Sequence, residues 1–133
     1  MINKSSVEII TEWDIVTVRQ LGRNEAKAIG FGTVDQARIT IAISELAHNI
    51  LLYAKRGVIE IERIETAKEK KIVVIASDRG PGMRDISKIL EGNCSKIGVL
   101  GAGLPGVKRL MDTIEVQSTA GEGTVIRVEK WLR

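Results

Sequence analysis

The sequence predicts an α+β fold, a two-layer sandwich in which a mixed, mainly antiparallel sheet carries helices on one face. Three observations lead there. Short alternating apolar segments come in pairs joined by charged or glycine-rich tips, the pattern of antiparallel hairpins. Two longer stretches repeat their apolar residues at helical spacing. One segment, Ile72-Val73-Val74-Ile75-Ala76, is continuously apolar and mostly β-branched, as a central strand would be. The 133 residues suit one domain spanning 1–133.

The elements follow in order. Val7-Glu8-Ile9-Ile10 alternates and predicts a short first strand. Asp14 is a candidate N-cap for a helix through Ile15, Val18, Leu21, Ala26 and Ile29, weakened at Gly22 and ended by Gly30 and Gly32. Thr33-Val34-Asp35-Gln36 reads as a capping box opening a second helix to about Tyr53, with Gly57 as its stop. Ile59 and Ile61 alternate with Glu60 and Glu62, and Lys68-Glu69-Lys70 forms a charged tip before the central strand. A weak helix is predicted over 85–90, then a glycine-rich stretch, then a helix from Leu104 to Met111 with Pro105 in its first turn. A last hairpin turns at Ala120-Gly121-Glu122-Gly123, with Ile114, Val116, Ile126 and Val128 on its apolar face.

Composition narrows the function. Aromatics make up only 3%, which argues against base-stacking recognition of single-stranded nucleic acid. The net charge of +3 is spread along the chain, so no basic arm exists. That mild excess suits an anionic ligand or an acidic partner. The lone Cys94 allows neither an internal disulfide nor a zinc cluster. The start MINKSSVEII has no apolar signal core, and no run reaches a membrane span. The default expectation is a reducing, cytoplasmic setting.

Four clusters could carry chemistry. Glu45 and Asn49 lie four apart and share one helix face. A carboxylate and an amide oxygen are hard donors of the kind magnesium accepts, and a carboxylate beside a phosphate can take a hydroxyl proton. The same letters also describe a solvated surface pair. Asp78-Arg79-Gly80-Pro81-Gly82 follows the buried strand, and its carboxylate could accept from an exocyclic amine such as that of adenine. A plain turn is the alternative. Gly98-Val99-Leu100-Gly101-Ala102-Gly103 enters a helix, where backbone N–H groups can meet phosphate. Without a preceding strand it is not a dinucleotide fingerprint, and it lacks the lysine of a P-loop; an unliganded loop is the alternative. Gly121-Glu122-Gly123-Thr124 opens the last strand, a hairpin turn that also offers a hydroxyl.

In this order, Glu-x-x-x-Asn, Asp-x-Gly-x-Gly, Gly-x-Gly before a helix and Gly-x-Gly-Thr before a strand, the whole chain resembles the GHKL ATP-binding superfamily. Within it the segments 41–57 and 103–112 resemble the small anti-sigma-factor serine kinases. The resemblance implies ATP and Mg2+ as cofactors, with Asn49 on the metal and Glu45 polarising the attacking water or serine hydroxyl. It implies that Asp78, Gly80, Gly82 and Thr124 line the adenine, and that Gly98, Gly101, Ala102 and Gly103 approach the phosphates. Several of these kinases carry a basic residue before the lid glycines; Val99 and Leu100 stand there here, with Lys96 the nearest cation. The implied substrates are STAS-domain antagonists of the RsbS and RsbR type. The implied second partner is a PP2C-type phosphatase regulator of the RsbU type, and a homodimer is a further expectation. A nucleotide-binding switch whose output is partner binding alone is the alternative.

Overall fold

The computed structural model describes residues 2–80, 103–119 and 121–133. Strand β1 (Ile2–Ile9) precedes helices α1 (Glu12–Ile29) and α2 (Thr33–Asn49), and α2 runs on into a π-helical turn, Ile50–Ala54. Strands β2 (Gly57–Glu65) and β3 (Lys70–Asp78), helix α3 (Gly103–Leu110) and strands β4 (Thr113–Thr119) and β5 (Gly123–Trp131) complete the described elements. The sheet order is β1-β2-β3-β5-β4, and all four pairings are antiparallel. The central position of β3 agrees with its unbroken apolar run. The helix predicted over 85–90 lies outside the described residues.

Alternation decides which face of the sheet meets the helices. Ile59 and Ile61 of β2, Ile72, Val74 and Ala76 of β3, and Ile126 and Val128 of β5 join one buried cluster. Ile39, Ile43 and Leu46 of α2, Val18 and Ala26 of α1, and Leu104 and Val107 of α3 cover them. Each fully buried aliphatic side chain of this size contributes roughly 1.5–3 kcal/mol. The other face is charged. Lys4 pairs with Glu60 at 2.6 Å, and Lys71 with Glu129 at 3.1 Å. Val73 belongs to this open face by alternation yet is fully buried, because the register sets it between Glu62 and Glu129. Burial pushes the Glu129 carboxyl up, but hydrogen bonds from Lys71 and Arg127 outweigh it and hold it below the usual carboxylate range.

Both helix starts differ from the expected caps. Asp14 is not the N-cap of α1; Thr11 is, and Asp14 stands at the third helical position. Its Oδ2 accepts the backbone N–H groups of Thr11 at 2.8 Å and Ile10 at 2.9 Å. Those two bonds lower its pKa. At α2 the N-cap is Gly32, and Thr33 is already helical. Gln36 does not close a box either: its Nε2 donates to the Phe31 carbonyl at 2.7 Å. Phe31 is buried, so its carbonyl needs an internal donor. Helix α1 also passes Gly22 without a break. The glycine lets the two helices approach, since a Cβ there would collide with the Ile43 side chain of α2.

Candidate nucleotide site

The site begins on the last turn of α2. Helical spacing puts Glu45 and Asn49 one above the other, as expected from the sequence. The surface-pair alternative fails, because both are buried, at 3% and 6% exposure. Glu45 Oε2 and Asn49 Oδ1 have no hydrogen-bond partner among the described residues. An unsatisfied buried polar atom costs about 1–3 kcal/mol, more when charged, so two of them one turn apart demand a reason. Burial raises the Glu45 pKa above the usual glutamate value, while the nearby His48 pulls it down. His48 Nδ1 donates to the Ser44 carbonyl at 2.8 Å.

Immediately after Asn49 the backbone widens into the π turn, a feature often found at functional sites. The turn ends at Lys55, whose φ of 71° is left-handed. It docks the end of α2 over the end of the sheet. Ala54 lies against the backbone of Gly80, and Ile50 against that of Gly57. The turn that follows Asn49 is therefore anchored on the backbone at both Gly57 and Gly80.

At that end of the sheet one register row runs Gly57, Asp78, Thr124, Ser118 across four strands. Asp78 shares its face with Ala76 and so points to the helix layer. The Gly80 N–H donates to Asp78 Oδ1 at 2.9 Å, closing a tight Asx turn. Gly123 has φ 131° and packs on the Asp78 carbonyl so closely that any Cβ would strike it. Thr124 is buried, and its Oγ1 lies 2.9 Å from Ser118 Oγ. Ser118 Oγ also donates to the Gly123 carbonyl at 3.2 Å.

The structure thus brings Glu45, Asn49, Asp78, Gly80 and Thr124 to one end of the fold, on the helix side of the sheet. Gly103 is the first residue of α3. Gly82, Gly98, Gly101 and Ala102, and with them Lys96, lie outside the described residues. Sequence reasoning missed Ser118, which the register pairs with Thr124 just as it pairs Thr119 with Gly123. A groove at the same end, lined largely by the open-face residues Glu8, Ile10, Arg56, Val58, Ser77, Arg79 and Val125, also takes in Gly57 and Asp78.

The donor set suits one hard cation. Among the described residues no three His, Cys, Asp or Glu side chains converge as a metal cage. Magnesium bound with a nucleotide needs only one or two protein oxygens, the rest coming from phosphates and water. An unpartnered amide oxygen beside an unpartnered carboxylate oxygen fits that requirement. No helix among the described residues is long and apolar enough to cross a membrane.

Comparison with known proteins bears on the same geometry. Residues 11–130 match the histidine kinase-like ATPase domain family. The chain is 61% identical over 133 residues to the serine/threonine-protein kinase RsbT of Bacillus subtilis, covering 100% of both chains. It is 30% identical over 102 residues to the anti-sigma F factor of Caldanaerobacter subterraneus, covering 72% of this chain and 70% of that one. Its fold is similar, at TM-score 0.66 and 18% identity, to the solved RsbU and RsbW domains of Rv1364c from Mycobacterium tuberculosis. All of this chain aligns there, over 33% of that longer chain.

Proposed function

We propose, because the chain belongs to the histidine kinase-like ATPase domain family and is a serine/threonine protein kinase homologue within it, that ATP and magnesium bind between α2 and the sheet end. The observation that carries this reading is the pair of unpartnered buried oxygens on Glu45 and Asn49. Nothing in the packing of the described residues explains them, and a metal-bound triphosphate would. When bound, magnesium neutralises phosphate charge.

Each residue has a role in that scheme. Asn49 Oδ1 ligates the metal. Asp78 accepts from the adenine amine, with Gly80, Gly82 and Thr124 around the ring. Gly98, Gly101, Ala102 and Gly103 offer backbone N–H groups to the phosphates as the chain enters α3. Glu45 takes the proton of the attacking serine or threonine hydroxyl. The new bond joins that oxygen to the γ-phosphorus, the bond to the bridging oxygen breaks, and ADP leaves. Burial suits Glu45 to this task, since a raised pKa makes a carboxylate a better base near neutral pH.

The substrates in this reading are STAS-domain antagonists of the RsbS and RsbR type. Freed from them, the chain binds and activates a PP2C-type phosphatase of the RsbU type; a homodimer fits the same scheme. The whole chain acts as one domain, in the cytoplasm. Incubation with labelled ATP, magnesium and such a STAS protein tests the proposal. Label should appear on a serine or threonine of the partner and vanish in Asn49→Ala. Equal labelling by wild type and variant would remove Asn49 from the site. Phosphatase activation without any labelling would leave partner binding as the sole output.

A further inference from the structure

We infer that the outer crease between α1 and α2 docks an acidic amphipathic helix of a protein partner. Two rows of exposed side chains carry the inference, a cationic row on α1 and an apolar row on α2.

Helix α1 meets α2 at Gly22, against Ile43, and sets Glu25 toward Arg63 of β2. Arg23 is two residues from Glu25, about 200° of helical turn, so it lies on the flank away from the sheet. Arg19 and Lys27, four residues to either side, share that flank. All three are exposed. Among the described residues none of them makes an ion pair. On α2, Val34, Ala37 and Ile41 recur at helical spacing and are exposed, and Leu52 continues them into the π turn. The chain turns back between the helices at Gly30 and Gly32, so the two run antiparallel. Trp13 and Leu52 each lie nine residues from the Gly22–Ile43 crossing, at the end of the molecule that carries Asp78. Trp13 is 79% exposed, and Val16 beside it is exposed as well.

Single apolar residues on a surface need no explanation, whereas contiguous ones mark a binding face. The occupant of this face must be apolar against α2 and negative against α1. An amphipathic helix offers both on neighbouring stripes and with the same repeat. Arg19 to Lys27 spans about 12 Å, eight residues at a rise of about 1.5 Å. Carboxylates at i, i+4 and i+8 of the docked helix match that row one for one. Glu12 shares the flank but stands a turn before Val16, at the apolar end, so the acidic end of the partner is set toward Lys27. Trp13 is the anchor there, since aromatic side chains dominate such contacts. The cations of the open sheet face are already paired, Lys4 with Glu60 and Lys71 and Arg127 with Glu129. An acidic segment is therefore steered to α1 rather than to the sheet.

The crease is separate from the candidate site. Helix α1 packs over β1 and β2 and α3 over β4, which leaves α2 between them. The start of α3 lies beyond α2 from the crease, so a partner held there leaves the phosphates accessible; this clause rests on the proposed nucleotide placement.

The probe is a labelled synthetic helical peptide with glutamates at i, i+4 and i+8 and leucines on the neighbouring stripe. It is titrated against the full chain by fluorescence anisotropy at low and physiological salt. Binding should saturate and weaken with salt. Arg19→Glu with Arg23→Glu should weaken it about tenfold or more, because repulsion replaces attraction. A peptide with lysines in place of the glutamates should reverse the order and prefer the double variant. Trp13→Ala should weaken the glutamate peptide without changing its salt dependence. No binding to the wild type, or equal binding to wild type and double variant, would overturn the inference. Binding to phosphatidylserine vesicles without binding to the peptide would assign the face to a membrane and overturn it too. ATP affinity should be unchanged in the double variant, with circular dichroism showing the fold retained; its loss would overturn the separation of crease and site. A wild type that binds the peptide but no ATP would sink the nucleotide reading and leave this one standing.

Discussion

Glu45 and Asn49 stand one helical turn apart, both buried, each with an oxygen that no group among the described residues satisfies. Buried polar atoms left without a partner are few in folded proteins, and a ligand, an ion or water commonly accounts for them. Removing the metal donor is the direct test. Asn49→Ala should weaken magnesium-dependent ATP binding by about tenfold or more and abolish transfer to a partner. Isothermal titration with and without magnesium would show it. If the variant loses ATP affinity equally in EDTA, Asn49 does not act through the metal.

Glu45→Gln keeps the shape and removes the base. Phosphoryl transfer should fall by roughly 10²–10⁴, with ATP affinity changed far less. In the wild type the acid limb of the rate profile should lie above the usual glutamate range, since burial raises this pKa. A rate independent of pH across that region would exclude Glu45 as base.

The same substitution changes stability, with a definite sign. A carboxyl whose folded pKa is raised holds its proton more tightly in the folded state. Its favourable contribution is complete below the unfolded value and is lost as pH rises through the folded one. Glu45→Gln should therefore raise Tm near neutral pH, by roughly a few degrees, and the gain should shrink on acidification. A melting series from neutral to acidic pH decides this. A variant less stable than wild type at neutral pH would contradict the buried, unpaired carboxylate.

Gly22 and Ile43 form a paired test of helix packing. Gly22→Ala should cost about 1–3 kcal/mol from overpacking, despite a helix-propensity gain of about 1 kcal/mol. The collision is with the outer carbon of Ile43, which valine lacks. The double variant Gly22→Ala with Ile43→Val should recover much of the loss. Additive costs in urea melts would mean that the helices part elsewhere.

Lys71 and Arg127 hold Glu129 ionised on the open face. A depressed folded pKa contributes stability above the unfolded value that is lost as pH falls through the folded one. Lys71→Met should lower stability at neutral pH, and the difference should narrow in acid. A constant difference across pH would assign the effect to packing of the lysine stem.

Strands were legible because alternation has period two and one wet face, as at Ile59 to Glu62. Val73 escaped that logic, because its cover comes from long side chains on neighbouring strands. Cap residues were harder. Thr33 and Gln36 carry the letters of a capping box, yet a buried Phe31 carbonyl competes for the glutamine. The π turn has no signature, since Ile50-Leu51-Leu52-Tyr53-Ala54 would suit an ordinary helix. In the candidate site, spacing on one helix was enough to set Glu45 and Asn49 side by side, and their burial came only with the structure. Ser118 depends on cross-strand register, which a single segment does not carry.

The docking of Ala54 on Gly80 has a further consequence. It ties the helix layer, with Asn49, to the sheet layer, with Asp78 and Thr124, at one corner of the molecule. A nucleotide gripped from both layers would act as a rivet through that corner. At a free concentration one hundred times its Kd it would add about 2.7 kcal/mol to the stability of the folded chain. The cell's energy charge would then govern not only how fast this protein works, but how long each copy survives.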